Sequence, residues 1–247
     1  MGIKSIVNKF LWQIDPLHKE SRERIKKLEN IHQGQRCFII GNGPSLNKMD
    51  LKPLKNEFTF GLNRIYLLFP KIGFSTTYYV AVNKLVIQQC AEDIEKLNIP
   101  KFINWYSRKW IKFTDDMIMI KDPYDFSLGF SKDPSDIIWE GATVTYAAMQ
   151  LAYYLGFKQV ILIGVDHNFV TKGEPHKEIV STGPDQNHFD SAYFGKGFRW
   201  QLPDLVTSEK AYKLAKKNFI EDNREIFDAT VDGHLDIFPK VNFHDLF

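Results

Sequence analysis

The sequence predicts an α/β chain whose core is a Rossmann-like, mostly parallel sheet flanked by helices. Three observations carry that expectation. Short apolar runs bounded by Gly or turn residues alternate with segments of helical period, the pattern of strands joined by crossover helices. The run at residues 159–163 (QVILI) is apolar on consecutive positions, as a strand buried on both faces must be. A composition of 44% hydrophobic and 25% charged residues supports a sizeable core and excludes disorder over most of the 247 residues.

Taken in order, Ile3, Ile6, Val7, Phe10, Leu11 and Ile14 share one face of an amphipathic N-terminal helix. A polar helical segment at residues 22–30 follows, until Gly34 breaks it. These features set an N-terminal helical extension at residues 1–33 apart from an α/β domain at 34–247. Within the domain, Arg36-Cys37-Phe38-Ile39-Ile40 reads as a buried strand, and residues 50–54 as a short helix. Phe58-Thr59-Phe60-Gly61 reads as a second strand ending at Asn63-Arg64. Residues 76–82 (TTYYVAV), rich in β-branched and aromatic side chains, make a third strand ending at Asn83, with a helix over 84–97. Residues 101–105 read as a fourth strand, and 106–138 as irregular, with turns at Asp122-Pro123 and Asp133-Pro134. The Ala-rich run 143–155 is a helix stopped by Gly156. The strand at 159–163 ends at Gly164-Val165-Asp166. A long, polar, lid-like loop covers 167–206, then a helix over 208–219 and a strand at 225–227 close the pattern.

Composition narrows the partners. With 32 basic and 30 acidic residues the net charge is +2, and no uninterrupted basic stripe marks a nucleic-acid surface. Two cysteines, Cys37 and Cys90, form neither a disulfide framework nor a zinc site, which points to the cytoplasm. No apolar stretch approaches the ~18 residues of a membrane span, and Lys4 and Lys9 interrupt any signal-peptide pattern. Two readings of residues 1–33 stand. The helix packs on its own domain or on a partner subunit of a homo-oligomer. Alternatively it makes peripheral contact with the inner face of a membrane, with Lys4, Lys9 and Trp12 near the headgroups.

In open α/β sheets ligands bind beyond the carboxyl ends of the strands. The residues there are Gly41-Asn42-Gly43, Asn63, Asn83 and Asp166. Each asparagine offers two donors and an acceptor, suited to ribose hydroxyls, phosphate oxygens or a base edge. The loop Gly41-Asn42-Gly43-Pro44-Ser45 directly follows a buried strand, so its amides and Ser45 are positioned to donate to a phosphate. It is neither the dinucleotide fingerprint nor a P-loop. Asp166 suits a base, a hydroxyl acceptor or a metal ligand. In the long loop, His188 is a candidate general base, and Tyr193, Lys196 and Arg199 suit an anionic substrate.

The strand with Gly41-Asn42-Gly43-Pro44-Ser45-Leu46, the later Asn63 and Asn83, and the helix–strand block at 147–166 resemble one superfamily. It joins the bacterial sialyltransferases of glycosyltransferase family 42 and the 6-hydroxymethylpterin diphosphokinase-like family, formerly domain of unknown function 115. The similarity covers about residues 35–220. It implies that Asn42, Ser45, Asn63 and Asn83 hold the CMP part of a nucleotide-sugar, and that Thr143 and Thr145 occupy the place of a donor-binding Thr-Ser-Gly. The sequence departs from the sialyltransferases in the loop, where His188-Phe189 is not followed by a Gly-His. The stretches Gly164-Val165-Asp166-His167-Asn168 and 193–200 are closer to the diphosphokinase-like group, many of whose members belong to surface-polysaccharide assembly.

Two transferase chemistries follow as expectations. The first is sugar transfer from a CMP-linked donor to a glycan or lipid-linked acceptor in surface-polysaccharide synthesis, with His188 or Asp166 as base and no metal cofactor. The second is pyrophosphate transfer from ATP to a hydroxymethyl, pterin-like substrate with Mg²⁺. The scarcity of acids at strand ends favours the first. A nucleotide-binding module without catalysis is a third reading.

Overall fold

The computed structural model describes residues 10–123, 127–170 and 173–247. Seven parallel strands form the main sheet: β1 (Arg36–Ile40), β2 (Phe58–Leu62), β3 (Tyr78–Ala81), β4 (Lys101–Asn104), β5 (Met117–Ile120), β6 (Gln159–Ile163) and, after a small hairpin, β9 (Glu225–Asp228). Their order is β5-β4-β3-β2-β1-β6-β9. The chain builds outward from β1 to β5, then returns to the other side of β1. The order therefore reverses between β1 and β6, which opens a crevice at their carboxyl ends.

Both faces of the sheet are covered, and the strand side chains divide between them with period two. Cys37, Ile39, Phe60, Val80, Phe102, Val160 and Leu162 join one core with α4 (Val144–Tyr154) and α5 (Leu205–Glu221). Phe38, Ile40, Tyr79, Ile103, Met119, Ile161 and Ile163 join the other with α3 (Lys84–Glu95). The short α2 (Phe69–Ile72) ends at Gly73 in the left-handed conformation.

The segment read as irregular holds β5, whose four residues are all buried. Four apolar residues between Asp115-Asp116 and Lys121-Asp122 make too short a run to read as a strand. As an edge strand, β5 needs partners for its outer backbone groups, and α1 (Pro16–Lys26) supplies them. The Met119 N–H donates to Ser21 Oγ at 2.8 Å, and the Arg24 guanidinium donates to the carbonyls of Met117 (2.8 Å), Thr114 and Asp115.

Residues 10–33 are built into the domain. Trp12 is 1% exposed, stacks on His18 (3.9 Å) and meets Trp105 edge-on (5.4 Å). This corrects the placement of Trp12 near lipid headgroups: its ring belongs to the core. Residues 10–14 are helical, with Phe10 and Ile14 exposed. Ile3, Ile6, Val7, Lys4 and Lys9, the first part of the expected amphipathic helix, lie outside the described residues. Among the described residues no helix is long and apolar enough to cross a membrane.

The long loop at 167–206 has its own structure. An antiparallel pair, β7 (Glu178–Val180) and β8 (Arg199–Gln201), stands beside a cluster of His188, Phe189, Tyr193, Phe194 and Trp200. The loop is tied to the first strand's end: the Phe189 N–H donates to the Asn42 carbonyl (2.9 Å) and Asn47 Nδ2 donates to the Phe189 carbonyl (2.8 Å).

Candidate functional site

A cavity of about 540 Å³ lies over the carboxyl ends of the parallel strands. That is ample for a nucleotide-sized ligand. It runs from the β1–β6 crevice, lined by Gly41, Asn42 and Asp166, to the far side of the sheet, lined by Asp122 and Glu140. Asn63, Asn83, Thr143, Thr145, His188 and Tyr193 also face it, so most of the residues singled out from sequence meet in one place.

The loop after β1 behaves differently from the expectation. The Gly41 and Gly43 amides donate to the carbonyls of Ile163 and Gly164, both at 2.8 Å. The Ser45 N–H and hydroxyl donate to the two oxygens of the Asp166 carboxylate at 3.0 and 2.6 Å. The Gly41, Gly43 and Ser45 amides and the Ser45 hydroxyl are therefore occupied in joining the end of β1 to the end of β6 and are not free to cradle a phosphate. Both glycines are dictated by that closeness. A Cβ on Gly41 would stand 2.3 Å from the Gly164 carbonyl oxygen, and one on Gly43 would stand 1.7 Å from Asp166 Oδ2. Burial pushes the Asp166 carboxyl up, and the two Ser45 bonds only partly offset it. Asp166 thus acts first as the clasp of the crevice.

The asparagines present their side chains instead. The Oδ1 atoms of Asn42 and Asn63 are buried without a hydrogen-bond partner. Such an atom costs roughly 1–3 kcal/mol unless a ligand satisfies it. Asn63 also holds a left-handed backbone, φ 48°, which asparagine tolerates better than most side chains. Asn83 caps α3, its Oδ1 accepting from the amides of Leu85 (2.9 Å) and Val86 (3.2 Å). Thr143 caps α4 and Asp204 caps α5. Three helix N-termini thus converge on one cavity; those of α3 and α4 carry neutral caps and favour an anion there, while the Asp204 carboxylate already meets that of α5.

His188 is held in place from two sides. Its Nδ1 lies 2.7 Å from Asp185 Oδ2, and its ring stacks on Tyr193 with centroids 4.0 Å apart. Burial would raise the Asp185 carboxyl, but His188 and the amides of Asn187 and Phe194 hold it below the usual carboxylate range. Asp185 was not singled out from sequence, although a carboxylate three residues before the histidine was the available signal. The Tyr193 hydroxyl accepts from the Arg64 amide at 3.3 Å, so Tyr193 is a packing and orienting residue. Lys196 and Arg199 do not line the cavity. Lys196 is exposed, while Arg199 reaches Glu178 (3.4 Å) and Gln88 (2.9 Å) on the outer surface.

The sequence reading also missed an acidic pair. Asn104, at the end of β4, donates through Nδ2 to Asp122 Oδ2 (2.9 Å) and Glu140 Oε1 (3.2 Å). Lys84 Nζ stands 3.9 Å from Asp122. Burial, then the neighbouring Asp122 charge, push the Glu140 carboxyl up to about 8, so Glu140 keeps its proton at neutral pH. Two further histidines line the cavity with carboxylate partners: His167 with Glu209 (3.2 Å) and His176 with Asp204 (3.1 Å). Among the described residues, no three His, Cys, Asp or Glu side chains cluster closely enough to hold a metal ion.

No curated protein sequence matches the chain. Among solved structures, the MAf glycosyltransferase from Magnetospirillum magneticum AMB-1 is similar with a TM-score of 0.55 and 15% identity, over 94% of this chain and 39% of that one. The chain thus spans 39% of that enzyme's length, and the likeness is one of fold. A mammalian sialyltransferase, solved with Gal-beta-1-3GalNAc-ortho-nitrophenol, aligns with a TM-score of 0.42 and 11% identity, over 95% of this chain and 87% of that one. The family described as 6-hydroxymethylpterin diphosphokinase MptE-like matches residues 9–172, a span that holds Asn42, Asn63, Asn83 and Asp166, and the chain belongs to that family.

Proposed function

We propose that the chain is a glycosyltransferase-like enzyme that transfers a sugar from a CMP-linked donor to a glycan or lipid-linked acceptor in surface-polysaccharide synthesis. The observation that carries this reading is the pair of unpartnered acceptors, Asn42 Oδ1 and Asn63 Oδ1, buried in a cavity on which three helix N-termini converge. A nucleotide supplies what both features lack: donors on its ribose and base, and an anion. The fold shared with a solved glycosyltransferase agrees with it.

In this reading His188 is the base. Its Nε2 takes the acceptor's hydroxyl proton while Asp185 stabilises the imidazolium through Nδ1. The acceptor oxygen bonds to the anomeric carbon as the bond from that carbon to the phosphate oxygen breaks. The nucleotide leaves with the bonding electrons. Asn83 and Thr143, at the N-termini of α3 and α4, flank the transferred group.

A second reading draws on the family's description and on one observation. Pyrophosphate transfer from ATP to a hydroxymethyl group normally uses Mg²⁺, and Asp122 with Glu140 supplies the paired acids that the sequence reading lacked. Mg²⁺ commonly takes one or two carboxylates and completes its shell with phosphate oxygens and water.

A thermal-shift panel of CMP, CDP, UDP, GDP, AMP and ATP, with and without Mg²⁺, separates the two readings. Sugar transfer predicts a CMP shift that ignores Mg²⁺ and disappears in Asn42→Ala. An ATP shift that requires Mg²⁺ and is lost in Asp122→Asn would overturn it.

A further inference from the structure

The histidine after Asp166 plays no part in the chemistry so far, yet it is placed with care. His167 holds a left-handed backbone, φ 53°, and lines the cavity. Its side chain is only 9% exposed. Nε2 lies 3.2 Å from Glu209 Oε1 on the first turns of α5, while Nδ1 makes no hydrogen bond among the described residues. Tyr212, one turn further along α5, packs 6.3 Å from the ring, and its hydroxyl is 3.4 Å from Thr143 Oγ1 at the start of α4. The imidazole therefore stands against the first turns of α5, and Tyr212 links it to the N-terminus of α4, whose neutral Thr143 cap favours an anion nearby. It is fixed at one nitrogen and open at the other.

We propose that His167 binds the phosphate of the nucleotide and stabilises it as the leaving group, with Glu209 as its positioning residue. The inference rests on the nucleotide-binding reading above and adds to it the side chain that meets the phosphate, since the Gly41, Gly43 and Ser45 amides are held by Ile163, Gly164 and Asp166. With Nε2–H donating to Glu209, Nδ1 donates to a phosphate oxygen only as the imidazolium. The contact is then a charge-assisted hydrogen bond aimed at the oxygen on which negative charge grows as the sugar–oxygen bond breaks.

The test compares each nucleoside monophosphate with its nucleoside by titration calorimetry, in wild type, His167→Asn and Glu209→Gln. Asparagine is chosen because it tolerates the left-handed backbone. Wild type is expected to bind CMP more tightly than cytidine. His167→Asn should weaken CMP about ten-fold or more while cytidine changes by less than about two-fold, which also reports an intact fold. Glu209→Gln should produce a smaller loss, confined likewise to CMP. An unchanged CMP-to-cytidine ratio in His167→Asn would overturn the proposal, as would a wild type that shows no preference for any monophosphate over its nucleoside. If AMP and adenosine bind in place of the cytidine pair, the CMP reading falls, and the same ratio measured with AMP decides the role of His167.

Discussion

Replacing Gly43 by Ala should destabilise the protein severely, through Asp166. The added methyl would stand 1.7 Å from Asp166 Oδ2, 2.3 Å from its Cγ and 2.9 Å from the Gly164 carbonyl oxygen. Carbon–oxygen contacts below about 3.0 Å are not held, so the carboxylate must retreat by more than an ångström. Ser45 donates to it at 3.0 and 2.6 Å, and neither bond survives such a shift. Hydrogen bonds to a charged group contribute about 1.5–3 kcal/mol each, so losing both costs about 3–6 kcal/mol. In a domain of this size that lowers Tm by roughly 6–24 °C. The assay is denaturant unfolding of Gly43→Ala, Asp166→Ala and the double variant. Since the clash is mostly with Asp166, the second substitution should cost far less in the double variant than the sum of the singles, a coupling of about 2 kcal/mol or more. The remaining contact with Gly164 prevents full rescue. Additive effects, or a Gly43→Ala loss under about 1 kcal/mol, would refute the clasp.

Other outcomes follow from the same contacts. Trp12→Ala should cost about 3–5 kcal/mol in urea unfolding, because its ring lies in the core; a loss under 1 kcal/mol would contradict that placement. Ser21→Ala leaves the buried Met119 amide without an acceptor and should cost about 1–3 kcal/mol, with faster hydrogen exchange at Met119. Glu140 has its folded pKa raised to about 8 against an ordinary 4.5, so the folded state binds the extra proton. Stability should therefore fall as pH rises from about 5 to 8, by at most ~1.4 kcal/mol per pH unit, and Glu140→Gln should flatten that slope. Asp185→Asn should lower kcat about a hundred-fold or more with little change in KM, since it disturbs the base and not the donor site; an equal loss in KM would place Asp185 in binding instead.

The strands that position the site were legible because burial on both faces makes them apolar on consecutive residues. β1 and β6 match the sequence reading residue for residue, and the asparagines stand at the strand ends where it put them. What escaped was set by tertiary contact. Asp122 and Glu140 are 18 residues apart and meet only because β5 adds beside β4, so that Asn104 can bridge them. The loop glycines looked like a phosphate cradle because sequence does not reveal that the β6 end closes on their amides. Lys196 and Arg199 fit an anion by charge, yet the β7–β8 hairpin turns Arg199 toward Glu178 and Gln88.

The central claim is sugar transfer from a CMP-linked donor, and product analysis tests it most directly. The purified protein is incubated with CMP-sialic acid and a lipid-linked or free glycan acceptor, and in parallel with ATP, Mg²⁺ and hydroxymethylpterin, both followed by ³¹P NMR. The account predicts CMP accumulating in the first mixture without added metal, abolished in Asn42→Ala and reduced about a hundred-fold in His188→Asn. AMP forming in the second mixture, with no CMP released in the first, would contradict it.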